Sequence, residues 1–173
     1  MPPAVTRSST VEELLAQIMA RPSKPRLLAI DGLPCSGKTT LAERPADIRP
    51  GFPFPFFRTE EISAIVQSLA RGAVASFHPY DWETERLTTA TRELAAPLIV
   101  EGCSVLCEDL APLFDVRIWV ESDAATLRAA QRARDGDRDA DVWDALYLPS
   151  VERWMQTEPW RRADVFVAGR DHR

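Results

Sequence analysis

Residues Gly32 to Thr39 read GLPCSGKT and match G-x-x-x-x-G-K-[ST] at every fixed position, which constrains this chain more than any other stretch. The two glycines let the backbone curl so that successive N–H groups point inward, a cradle suited to phosphate oxygens. Upstream, RLLAID is a short apolar run that reads as a buried strand, and TTLAER downstream is compatible with a helix. In that setting the N–H groups of Cys35, Ser36, Gly37, Lys38, Thr39 and Thr40 line the turn, with Gly32 opening it. Lys38 reaches the outer phosphates, the Thr39 hydroxyl holds Mg²⁺, and the helix adds the positive end of its dipole. An arbitrary chain meets this pattern in well under roughly one case in a hundred. Lysine usage sharpens the point. Of the 21 basic residues only Lys24 and Lys38 are lysines, in a chain that otherwise uses arginine.

The remaining composition limits the alternatives. A chain of 173 residues with 45% hydrophobic and 27% charged residues suits one domain, spanning 1–173, with an N-terminal helix at about 10–21 and a core at about 26–169. No apolar run approaches the ~20 residues of a membrane span. The N-terminus lacks the apolar centre of a signal peptide, so a cytoplasmic location and no membrane partner are expected. A net charge of −5 with scattered basic residues argues against a nucleic-acid partner. A small-molecule substrate is the expected partner, and self-association into a homo-oligomer is compatible with everything above. Cys103 and Cys107 have no neighbouring Cys or His to complete a metal set, so they read as packed thiols.

Thr10, with Glu13 three residues on, forms a capping-box pattern before the helix from about Thr10 to Arg21. TEEISAIVQSLARG reads as a second helix, capped by Thr59 and stopped at Gly72. SFHPYDWETERL is expected to run from a loop into a helix near Glu83 to Leu94. PLIVEG, FDVRIWVE and ADVFVAG read as strands, and DAATLRAAQRARD as a helix behind the cap Ser122. Strands alternating with helices predict a parallel sheet in an α/β domain. Glu101 closes the PLIVEG strand, which should lie beside the RLLAID strand, where a carboxylate can bind the metal. Guanine specificity through N-K-x-D is excluded, because the chain contains no Asn.

IDGLPCSGKTTLA, PYDW, IVEG, FDVRIWVESDAATLRAAQRARD and ADVFVAG occur in the order found in uridine kinases. Over roughly Leu27 to Gly169 the chain resembles a bacterial uridine kinase-like P-loop kinase of small metabolites. The resemblance implies a three-layer α/β fold with a parallel sheet flanked by helices. It also implies transfer of phosphate from ATP, with Mg²⁺, to a hydroxyl of a nucleoside or related metabolite. In that family a lid helix carries arginines over the phosphates, and Arg128, Arg132 and Arg134 are the matching positions. Arg128 and Arg132, four apart, share one helix face. Tyr80, Asp81, Trp82 and Arg86 fall where the family contacts its acceptor, although Glu85 stands where a His is expected. A nucleotide-binding relative without turnover, or a nucleotide hydrolase, is the alternative.

The resemblance departs after Arg44. Such kinases continue the first helix and return as a strand carrying an acidic pair, one member of which takes the proton of the attacking hydroxyl. Here Pro45 ends the helix and PADIRPGFPFPFF follows, so Asp47 is the sole carboxylate between Glu43 and Glu60 and the local candidate base. That leaves a sheet edge, beside Leu27–Asp31 or Leu98–Glu101, without its usual strand.

Overall fold

The computed structural model describes residues 6–8, 10–32, 59–81, 84, 86–136, 140 and 143–169. At the centre runs β2 (Leu27–Gly32), whose apolar run packs both faces. Leu27 and Ala29 enter one core cluster, while Leu28 and Ile30 meet the other, the alternation a strand buried on two sides imposes. β7 (Leu98–Glu101) pairs with β2 in parallel on one flank, in the register Ile30↔Glu101. β8 (Val116–Glu121) pairs in parallel on the other flank, and β9 (Val165–Ala168) lies outside β8. These are the strands the sequence predicts. A further edge strand, β1 (Thr6–Ser8), which the sequence reading did not contain, pairs in parallel with β9. The sheet order is β1-β9-β8-β2-β7.

Helix α1 (Val11–Met19) lays Leu14 and Ile18, four apart, against the Ile30, Ile118 and Val165 face. Its capping box is formed: Thr10 Oγ1 accepts from Glu13 N–H at 3.1 Å, and Glu13 Oε2 accepts from Thr10 N–H at 3.3 Å. Helix α2 (Thr59–Ala70) covers the opposite face with Ile62, Ile65, Val66 and Leu69. It stops before Gly72, whose φ of 83° is the left-handed conformation glycine adopts at little cost. Helix, parallel sheet and helix make three layers, as expected. No helix among the described residues is long and apolar enough to cross a membrane.

Among the described residues the expected helix near Glu83 to Leu94 is absent. β3 (Ala75–Phe77) pairs antiparallel with β6 (Arg92–Leu94), and β4 (Tyr80–Asp81) with β5 (Arg86–Leu87), making two short ladders. Thr88, Thr89 and Thr91 are β-branched and lower helix propensity, while Ala75 and Phe77 gain burial by pairing with the returning strand. Beyond β8, helix α3 (Ala124–Asp135) is capped by Asp123, whose Oδ1 accepts from Thr126 N–H at 2.7 Å. The expected cap Ser122 thus yields to its neighbour. A π-helical turn (Trp143–Tyr147) leads into α4 (Leu148–Gln156).

Candidate functional site

Ligands in parallel α/β sheets bind outside the carboxyl ends of the strands, where the strand order reverses. Here the chain leaves β2, returns as β7 on one flank and then crosses to β8 on the other. The reversal therefore lies at the end of β2, from which Gly32 opens the glycine-rich sequence. Glu101, half-buried, ends the adjacent strand in register with Ile30, and Gly102 N–H donates to the Ile30 carbonyl at 3.1 Å. Gly32 and Glu101 are thus brought to one end of neighbouring strands. The expected roles of Cys35, Ser36, Gly37, Lys38, Thr39, Thr40, Asp47 and Trp82 lie outside the described residues.

Behind these strand ends sits a feature that neither composition nor motif marks. Asp31 is 0% exposed and its carboxylate accepts from the N–H groups of Gly32, Ser104 and Leu106. Ser104 is equally buried, adopts φ 72°, and its hydroxyl has no hydrogen-bond partner among the described residues. A left-handed non-glycine residue costs on the order of 1–3 kcal/mol, so surrounding bonds must hold it there. The signal available in the sequence was a carboxylate at the core-facing position of an otherwise apolar strand.

Arg128, Arg132 and Arg134 all lie on α3. Arg128 is half-buried and ion-paired with Asp144 of the π-helical turn, while Arg132 and Arg134 are exposed in the last turn. Arg128 also lines a cavity of about 780 Å³ between α3 and α4, floored by Leu127, Leu148, Val151 and Met155. Tyr80, Asp81 and Arg86 are brought together: Asp81 pairs directly with Arg86 across the β4–β5 ladder, and Thr84 Oγ1 donates to Asp81 Oδ2 at 2.7 Å. Cys107 is a packed thiol, as expected. Burial pushes it above its ordinary value, opposed by hydrogen bonds from the Leu110 and Asp109 backbone.

Among the described residues no group of three or more His, Cys, Asp or Glu side chains forms a metal cage. Mg²⁺ does not need one. It commonly takes one or two carboxylates and completes its octahedron with phosphate oxygens and water, so a single Glu101 at the strand end fits its chemistry.

No family model and no curated protein matches the sequence. Solved structures do. A possible uridine kinase from Bacillus stearothermophilus superposes with a TM-score of 0.66 at 20% identity, covering 91% of this chain and 96% of its own. A provisionally named fructose transport system kinase from Silicibacter sp. TM1040 gives a TM-score of 0.68 at 18% identity, covering 92% and 99%. Over the matched part the chain shares the three-layer α/β fold of these structures.

Proposed function

We propose that the chain transfers the terminal phosphoryl group of ATP, with Mg²⁺, to a hydroxyl of a nucleoside or similar small metabolite. One observation carries the reading: GLPCSGKT begins at the end of central strand β2, at the reversal of strand order, with Glu101 ending the neighbouring strand. The kinase-like neighbours support it at the level of fold. Lys38 and the N–H groups of Cys35 to Thr40 would bind the phosphates, and Thr39 with Glu101 would hold Mg²⁺, which when bound neutralises phosphate charge. Asp47 would take the proton of the acceptor hydroxyl. Arg128 and Arg132 would meet charge that develops during transfer, and Arg134 would contact the nucleotide. Tyr80, Asp81, Trp82 and Arg86 would form the acceptor site.

Incubation with ATP, Mg²⁺ and a panel of nucleosides and sugars, read by product mass and thermal shift, tests this directly. The expected result is one acceptor that both stabilises the chain and appears as its phosphate ester. Stabilisation by ATP with no esterified product from any acceptor would favour the second reading, nucleotide binding without turnover. That reading draws on Asp47 being the sole carboxylate between Glu43 and Glu60, where the resemblance to uridine kinases implies an acidic pair.

A further inference from the structure

Asp31 is the one charged residue counted as buried among the described residues, and it occupies a core position. It continues the strand face of Leu27 and Ala29, where a further apolar residue would extend the core. A carboxylate is costly there unless hydrogen bonds replace its water, and three backbone N–H groups supply such bonds. Oδ1 accepts from Gly32 N–H at 2.6 Å and from Ser104 N–H at 3.1 Å, and Oδ2 accepts from Leu106 N–H at 2.7 Å. The segment so gripped is also held from its far side, where Arg162 donates to the Leu106 carbonyl at 3.2 Å. Gly102 N–H to the Ile30 carbonyl closes the same junction at 3.1 Å. One carboxylate therefore ties Gly32, the opening residue of the glycine-rich sequence, to the turn that follows Glu101.

We propose that Asp31 is a positioning residue for a metal–nucleotide site: it fixes the Glu101 strand end relative to the start of the Gly32–Thr39 sequence, so that phosphate binding and metal binding reinforce one another. The inference rests on the nucleotide reading above and adds to it a residue that acts through backbone rather than on the ligand. Its chemistry makes Asp31→Asn informative. Asparagine keeps the volume but offers one acceptor oxygen, so its NH₂ must face either the Gly32 and Ser104 donors or the Leu106 donor.

Isothermal titration of ATP, with Mg²⁺ and with EDTA, into the full chain and into Asp31→Asn provides the test. Asp115→Asn serves as the control, because Asp115 Oδ2 bonds to the Arg26 and Leu27 N–H groups at the opposite end of the same strand. In the parent, Mg²⁺ strengthens ATP binding. In Asp31→Asn that strengthening falls by about tenfold, while metal-free affinity changes by less than about threefold. Asp115→Asn lowers the urea midpoint but keeps the parent's metal dependence. Parent-like metal dependence in Asp31→Asn would overturn the inference and leave nucleotide binding standing, as would an equal loss in Asp115→Asn. A parent that binds no ATP under either condition would remove the nucleotide reading and the inference with it. Should Asp31→Asn fail to fold, amide exchange in the unaltered chain decides. Exchange at Ser104 and Leu106 slows on adding ATP with Mg²⁺ and much less with ATP and EDTA, and an equal response to both would overturn the coupling.

Discussion

Two aspartates bracket β2 and show how much a single side chain decides. Asp115 secures the entry of the strand and Asp31 its exit, each by accepting from backbone N–H groups. Cys107 belongs to the same neighbourhood and reports on it through pH. Burial disfavours its thiolate in the folded chain, so its folded pKa lies above the unfolded one. Its contribution to stability is complete below the unfolded pKa and is lost as pH rises toward the folded value, because only the unfolded chain then releases the proton. Between pH ~8 and ~10 the parent should lose stability more steeply than Cys107→Ala, as measured by urea midpoints. Equal slopes in the two chains would mean that the thiol is not held protonated by its packing. The packed state of Cys107 was legible because no further Cys or His stands near Cys103 and Cys107 to complete a metal set. The burial of Asp31 was not, since a carboxylate ending a strand reads equally well as solvated.

At the level of elements, legibility followed the strength of local periodicity. The strands at Leu27, Leu98, Val116 and Val165 and the helix at Val11 were evident because each buries a continuous or stepped apolar face. The region from Ala75 to Leu94 was misread as partly helical because its fold depends on partners rather than on its own pattern. Ala75 meets Leu94 and Tyr80 meets Leu87 only after the chain has turned back. β1 escaped notice for the same reason, being three residues long and dependent on the edge of β9. Helix α3 carries the element-scale prediction. If Arg128 and Arg132 act on charge that develops during transfer, replacing both with Lys should lower kcat well before it weakens ATP binding, since the planar fork is lost. A kcat within a factor of about two of the parent's, roughly 0.4 kcal/mol of barrier, would make this a solvated face with Arg128 held by Asp144.

For the molecule as a whole, the sheet order decides where the glycine-rich motif begins. Two apolar clusters, one under α1 and one under α2, hold β2 between β7 and β8, so the glycine-rich sequence leaves from the place where the strand order reverses. Among the described residues β7 has a strand partner on one side only, and the stretch that bears on the open edge expected beside Leu98–Glu101 lies outside the described residues. The measurement that tests the account most directly is the affinity for ATP with Mg²⁺ in the parent and in Lys38→Ala. If Lys38 serves the phosphates rather than the core, as proposed, the substitution should leave the urea midpoint unchanged and weaken binding by at least about tenfold, ~1.4 kcal/mol. Equal affinity in the two chains, with both folded, would contradict phosphate binding at GLPCSGKT and the function built on it.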